Sequence, residues 1–339
     1  MLWQVEYEMW KNGAGELPPK PQYETVYDDK GLTTAPIPSG FVASATVGET
    51  DIGTGKVIKC VTGADISEFV WVPVPHAYID VGTLNEGEIN VAIAYEVSEG
   101  YYPMAIKLAN GDYKGVLYNF VLSAGVAKIT ALTYYEANAT VLREPDVIEA
   151  SGYDDTATNF TDAGLPSMTM GEFKTRLQEE FNETVENIIA NGGFYIGRYE
   201  TSVRTGSIVR SNSGVNPMYN RTWYNMYAMQ SAYATDNSIA GISSGMIWGS
   251  EWDQAMIWMK DVQNPNAGNK PYILDATGMG NYSVSRNNTG VNDYKAKNIF
   301  DMAGNVRDWT LEASTQGRGR RGRRVPREWF YGISKQTWS

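Results

Sequence analysis

The composition and charge of this 339-residue chain limit what it can be. Hydrophobic residues make up 42% and charged residues 20%, which is enough apolar material for the core of one large domain or two small ones. The formal net charge of −11 argues against general binding to nucleic acids or anionic membranes. No apolar run is long enough to span a bilayer, and the acidic N-terminus has no signal-peptide pattern.

The single cysteine and the single histidine exclude several kinds of site. They allow no intramolecular disulfide, no cysteine-rich zinc site and no multi-histidine metal centre. Cys60 lies in a strand-like run, so we interpret it as a small buried hydrophobic residue rather than a reactive thiol. His76 follows a proline at a predicted strand end, and we interpret it as an ordinary turn residue.

The N-terminal part of the chain is predicted to be an arm followed by short strands. Residues 1–35 are rich in proline, glycine and charge, which indicates an extended arm or linker. Residues 36–142 are predicted to be β-rich because apolar and polar residues alternate between glycines. Within them, strand-like runs at 89–95 and 115–122 predict an inserted β-ribbon or small accessory subdomain. Residues 143–167 are interpreted as an acidic loop.

The strongest predicted element is a helix that begins after Thr169. Thr169 and Glu172 form a capping-box pattern, and Asn191–Gly193 form a helix-ending pattern before a strand at 194–200. An apolar stripe with spacings of three and four supports the helix: Phe173, Leu177, Phe181, Val185 and Ile188.

Two further helices are predicted downstream. One covers residues 223–233. The other covers residues 251–262, with Ser250 as its N-cap and Trp252, Met256 and Met259 on its inner face. A few helices with many short strands and long loops are typical of an α+β fold.

Residues 298–310 carry the most informative motif, Asn-Ile-Phe-Asp-Met-Ala-Gly-Asn-Val-Arg-Asp-Trp-Thr. Its small residues predict a tight turn packed against a core, in which Asn305 caps neighbouring amides. The segment resembles the (D/N)-(M/L)-x-G-N-V-x-(E/D)-W signature of the formylglycine-generating-enzyme/sulfatase-modifying-factor family, a branch of the C-type-lectin fold. The resemblance gives Gly304, Asn305 and Trp309 structural roles in that motif.

Other segments resemble motifs of the same family in the same order, at residues 36–41, 68–74, 192–202, 217–225 and 247–253. The resemblance runs from about residue 35 to residue 313. It implies an α+β, C-type-lectin-like core over residues 143–313 with an N-terminal β-rich extension. The chain is most similar to variable proteins of diversity-generating retroelements in Firmicutes and their phages.

In that branch, the residues after the motif form a variable region that contacts the ligand. The resemblance therefore implies a non-catalytic protein that displays residues 314–339 for receptor recognition on a phage virion or bacterial cell surface. Its partner would be a protein or a glycan; the sequence identifies neither the ligand nor the oligomeric state. The candidate ligand-binding residues are arginine and aromatic residues, which dominate interface energetics: Arg318, Arg323, Arg327, Trp329, Phe330, Tyr331 and Trp338.

The C-terminal segment also departs from the family pattern. Residues 316–324 are Gly/Arg low complexity, and residues 324–332 match only half of the family pattern. This indicates a shortened or frame-altered variable region in which the fold would lack its last strands. A basic tail with no fixed partner is the alternative.

Two other functions are weighed against ligand binding. One is a structural virion protein, in a phage tail or decoration, that uses the fold as a module. The other is an oxidase like the formylglycine-generating enzymes, which the resemblance associates with copper held by two cysteines near the C-terminus. Residues 263–339 contain no cysteine, so we expect neither that activity nor its cofactor.

Other polar and aromatic residues receive ordinary interpretations. Asp293, Asp301 and Asp308 are candidates for a structural calcium site, because Ca²⁺ prefers oxygen ligands, although their spacing is not diagnostic. The acidic pairs Asp154/Asp155 and Glu179/Glu180 are interpreted as solvated surface acids rather than a general acid and base. Large rings in the motifs and on helix faces are predicted to pack in the core: Trp223, Trp248, Trp252, Trp258 and Trp309.

Overall fold

The described residues form an α+β structure, as predicted. The predicted arm up to residue 34 and most of the predicted acidic loop lie outside them. The computed structural model describes residues 35–62, 66–123, 126–131, 141–142, 145, 157–260, 262–264, 270–271, 287–291, 295–302, 305–306, 309–311, 313–314 and 336–338.

The elements follow one another along the chain with short connections. The helices are α1 (Glu86–Ser98), α2 (Ala157–Asp162), α3 (Met170–Asn191), α4 (Trp223–Ser231), α5 (Tyr233–Asp236) and α6 (Gly249–Trp258), and a 3₁₀ turn covers Ile52–Thr54. The strands are β1 (Phe41–Ala43), β2 (Val57–Cys60), β3 (Glu68–Pro73), β4 (Tyr78–Gly82), β5 (Ala105–Leu108), β6 (Tyr113–Gly115), β7 (Tyr118–Ser123), β8 (Val126–Ala131), β9 (Val141–Leu142), β10 (Gly193–Gly197), β11 (Ser202–Thr205), β12 (Ile208–Arg210), β13 (Gly245–Met246), β14 (Gln263–Asn264), β15 (Lys270–Pro271), β16 (Lys295–Ala296), β17 (Ile299–Phe300), β18 (Ala313–Ser314) and β19 (Gln336–Trp338).

The largest sheet has six strands in the order β1-β2-β3-β10-β19-β13. All of its pairings are antiparallel, and Tyr195 of β10 lies opposite Trp71 of β3 on one side and Trp338 of β19 on the other. Strand β3 comes from the predicted β-rich region and β10 from the predicted core. Their pairing places residues from both regions in one sheet.

Helix α3 confirms the strongest sequence prediction. The Thr169 side chain accepts a hydrogen bond from the Glu172 N–H, and the Glu172 carboxylate accepts one from the Thr169 N–H at 2.7 Å. Gly192 ends the helix with a φ of +79°, a conformation that glycine adopts without steric cost. The whole predicted stripe is buried and faces the core: Phe173, Leu177, Phe181, Val185 and Ile188.

Replacing Thr169 with alanine is expected to lower the free energy of unfolding by about 1 kcal/mol, because the helix loses its N-cap acceptor. Chemical denaturation followed by circular dichroism measures this. Thr175→Ala is the matched control, since Thr175 is exposed in the same helix and alanine favours the helix interior. Equal losses in both variants would show that the capping box does not stabilise α3.

The predicted strand at residues 89–95 is wrong, because those residues lie in helix α1. The Asn85 side chain and the Glu88 carboxylate form a capping box at its start. The helix joins β4 to β5, which pair in parallel. Parallel neighbours require a crossover connection, and a helix is the usual one. Its buried residues follow helical spacing: Ile89, Ala92, Ile93 and Glu96.

The other two predicted helices are present with different ends. The helix predicted at 223–233 is divided into α4 and α5. Helix α6 begins at Gly249 rather than Glu251, so the prediction of Ser250 as N-cap is wrong. Instead the Glu251 carboxylate accepts a hydrogen bond from the N–H of Trp248 at 2.9 Å. The strand predicted at 115–122 corresponds mainly to β7, which pairs with β8.

The predicted core tryptophans are confirmed. Trp223, Trp248 and Trp252 are buried, and Trp258 and Trp309 are partly buried and pack against the core. Cys60 is buried in β2, as predicted.

His76 precedes β4 and its ring meets the Tyr101 ring edge-on, with a centroid distance of 4.5 Å. This aromatic contact gives it a packing role in the connection before the strand. No helix among the described residues has the length and apolar character needed to cross a membrane.

Candidate ligand-binding face

Asn305 connects two segments that are distant in sequence. Its φ is +56°, and its side-chain oxygen accepts a hydrogen bond from the Asn287 N–H at 2.9 Å. Its amide nitrogen donates to the Glu200 carboxylate at 2.6 Å. The prediction that Asn305 caps a neighbouring amide is confirmed. The motif thereby holds residues 287–291 against the chain that follows β10.

The residues after Asn305 are fixed to the helices. The Trp223 indole N–H donates to the Thr310 carbonyl at 3.0 Å, and the Leu311 N–H donates to the Ile247 carbonyl at 3.0 Å. These bonds attach the end of the motif to α4 and to the residue that follows β13. Gly304 lies outside the described residues.

The chain on either side of residues 315–335 belongs to paired strands. Before the segment, β18 pairs with β9, with Ser314 opposite Val141. After it, β19 lies between β10 and β13, and Thr337 is opposite both Ile196 and Gly245. This differs from the expectation that the last strands are missing. The facing edges of β10 and β13 offer unpaired backbone groups on both sides, and a three-residue strand satisfies them.

Most of the candidate ligand-binding residues cannot be compared with the geometry. Arg318, Arg323, Arg327, Trp329, Phe330 and Tyr331 lie outside the described residues. Trp338 is in β19, in register with Tyr195.

Only one of the candidate calcium ligands is described. The carboxylate of Asp301 accepts a hydrogen bond from the Gly290 N–H at 3.3 Å, whereas Asp293 and Asp308 lie outside the described part. Within that part, no three histidine, cysteine, aspartate or glutamate side chains are grouped so that they could hold a metal ion. The described geometry therefore brings no calcium site together.

A cavity of about 300 Å³ lies between α3, α4 and residues 242–251; we call it the α3–α4 cavity. Two of its lining residues adjoin the ends of the C-terminal segment: Leu311 shortly precedes β18, and Met246 lies opposite Gln336 of β19. The cavity is therefore lined partly by residues close to the points where residues 315–335 leave the scaffold.

Glu180 has a larger structural role in this cavity than the sequence indicated. Its carboxylate accepts hydrogen bonds from the Arg176 Nε at 2.8 Å and from the Tyr227 hydroxyl at 2.6 Å. The interpretation of Glu180 as an ordinary solvated acid is wrong, whereas Glu179 is exposed. Burial and the neighbouring Glu180 charge raise the pKa of Tyr227, which keeps the hydroxyl protonated as a donor.

A hydrogen-bonded chain continues along the same wall. The Trp248 indole N–H donates to the Thr184 hydroxyl at 3.3 Å, and that hydroxyl donates to the Glu180 carbonyl at 2.8 Å. Trp248 also packs edge-on against Phe181. Sequence reasoning missed this site because its residues come from four separate segments, and only the spacing of Arg176, Glu180 and Glu183 on α3 could have indicated a polar helix face.

Comparisons of the chain with protein-family models, with curated proteins and with solved structures find no match.

Proposed function

We propose that this chain is a non-catalytic ligand-binding protein with a C-type-lectin-like fold, similar to the variable proteins of diversity-generating retroelements. In this proposal residues 315–335 contact a protein or glycan on a cell or particle surface. The observation that carries the proposal is the pairing of the chain on both sides of the segment. Ser314 is held by β9, and Gln336 by β13.

Fixed ends favour binding because they lower the conformational entropy that a segment loses when it contacts a partner. Loops that carry recognition residues on a rigid scaffold commonly work in this way. The segment contributes arginine and aromatic residues at a density typical of interface hot spots. The motif around Asn305 supports the display by holding the chain before the segment against α4.

The direct test replaces the six candidate residues between 318 and 331 with serine in the full chain. Binding to a glycan array and to intact bacterial cells is then measured by fluorescence. We expect apparent affinity to fall by at least about thirtyfold, which corresponds to the loss of one hot spot of roughly 2 kcal/mol. The replaced residues are Arg318, Arg323, Arg327, Trp329, Phe330 and Tyr331.

The matched control replaces an exposed tyrosine and an exposed arginine elsewhere, Tyr219 and Arg221, with serine. This variant is expected to bind as the unmodified chain does. If both variants bind equally well, the proposal is wrong. Detection of the chain in purified phage particles would assign the display to a virion, and turnover of a sulfatase-derived cysteine peptide with copper would contradict a non-catalytic role.

A further inference from the structure

The lining of the α3–α4 cavity is unbalanced in charge. It includes the carboxylates of Glu180, Glu183 and Glu251 but only one guanidinium, that of Arg176. Arg176 is already bonded to Glu180 at 2.8 Å, and it lies over the Tyr227 ring at 5.5 Å from the centroid. Two carboxylates therefore remain without a matching cation in the lining, and a partly enclosed space of that charge attracts cations.

These two carboxylates differ in their setting. Glu183 is exposed on α3 and makes no hydrogen bond or ion pair with the described residues. Glu251 is buried, at 1% exposure, and one of its oxygens accepts the Trp248 N–H. That bond fixes the orientation of the carboxylate at the start of α6. The cavity thus combines a mobile acid with an oriented one.

The opposite character is found in the apolar part of the lining. Met246, Trp248 and Leu311 are all at most 3% exposed and line the same cavity. An apolar surface beside acidic groups suits a ligand with an alkyl stem and a cationic head, as lysine and arginine side chains have. The two aromatic residues of the lining, Tyr227 and Trp248, are almost completely buried, so they offer little ring face on which a neutral sugar could stack.

We propose that the α3–α4 cavity binds an alkyl-ammonium or alkyl-guanidinium group, such as a lysine or arginine side chain of a partner protein. Its volume of about 300 Å³ is at the lower end of the roughly 300–1,000 Å³ of small-molecule sites, which suits one such side chain. This site is separate from the binding proposed for residues 315–335 and does not depend on it.

The test titrates the full chain with n-butylguanidinium and with n-butylurea, a neutral molecule of nearly the same shape, by calorimetry and NMR. The cation is expected to bind at least about tenfold more tightly than the urea, as charge-assisted hydrogen bonds require. Shortening the chain to ethylguanidinium is expected to weaken binding by about fourfold for each methylene removed. Added salt is expected to weaken binding of the cation only.

Two variants identify the carboxylates. Glu183→Gln is expected to weaken n-butylguanidinium binding by about two- to fivefold, since the residue is exposed. Glu251→Gln is expected to weaken it by about tenfold, because the acid is buried, while glutamine can still complete the capping box of α6. Glu179→Gln, on the exposed side of the same helix as Glu183, is the matched control and should change nothing. Thermal unfolding of each variant confirms that it is folded.

Equal affinity for the guanidinium and the urea would overturn the proposal, as would unchanged binding in both glutamine variants. Binding that appears only after serine replaces Arg318, Arg323 and Arg327 would also overturn it, because the chain's own arginines would then fill the cavity. Serine replacement is otherwise expected to abolish surface binding and leave n-butylguanidinium binding intact. The two proposals can therefore fail separately.

Discussion

Replacing Arg198 with methionine is expected to lower the free energy of unfolding by about 3–5 kcal/mol, the usual cost of removing one partner from a buried ion pair. The Arg198 side chain is 8% exposed and contacts Glu49 at 2.6 Å and Glu68 at 2.8 Å. Glu68 keeps a second cation, Lys59, at 3.2 Å. The loss therefore falls mainly on Glu49, which keeps only the hydroxyl of Ser44.

Urea denaturation of both proteins at pH 7 measures this loss. Arg221→Met is the control, because Arg221 is exposed and makes no ion pair with the described residues; we expect a change within about 0.5 kcal/mol. If the two variants lose the same stability, the buried ion pairs of Arg198 do not stabilise the fold.

The difference between wild type and Arg198→Met should depend on pH. Although burial favours the neutral acid, hydrogen bonds from Arg198 and Ser44 and the Arg198 charge lower the pKa of Glu49 below its ordinary 4.5. A lowered pKa contributes stability that is present above that value and is lost as the pH falls through the folded-state pKa. We therefore expect the difference to be largest at neutral pH and to shrink below pH 4.5. A difference that grows in acid would contradict this assignment.

Replacing Phe173 with alanine is expected to lower the free energy of unfolding by about 3–5 kcal/mol, through lost burial and the cavity that remains. Phe173 is fully buried. Its ring makes edge-on contacts with Phe160, Tyr227 and Trp223 at centroid distances of 4.9, 5.4 and 5.9 Å. These contacts join α2 and α3 to α4, so we expect the loss to affect the packing of three helices.

Chemical denaturation measures the Phe173 effect, and near-ultraviolet circular dichroism reports the aromatic packing. Glu179→Ala in the same helix is the control, since Glu179 is exposed and its loss should change stability by about 0.5 kcal/mol or less. A Phe173→Ala protein with unchanged stability would show that this aromatic cluster is not part of the stabilising core.

Local signals were sufficient for helix α3. Its cap, its apolar stripe and its glycine stop all lie within one stretch of sequence, and each acts on neighbouring residues. The same holds for the Asn305 turn, whose small residues and asparagine predicted its capping role. Helix α1 was misassigned because β-branched residues at 89–95 fit a strand locally. The parallel pairing of β4 with β5, which requires a crossover, comes from elsewhere in the chain.

The sequence by itself determined the α+β class, the buried cysteine and tryptophans, and the segments that can begin and end helices. Only the tertiary structure decided that β19 lies between β10 and β13, and that Glu180 meets Tyr227 beside Met246 and Leu311. Helix caps and apolar stripes depend on residues a few positions apart, and sequence displays those directly. Strand pairing and cavity walls join residues that are distant along the chain, so they are specified only when the whole core packs together.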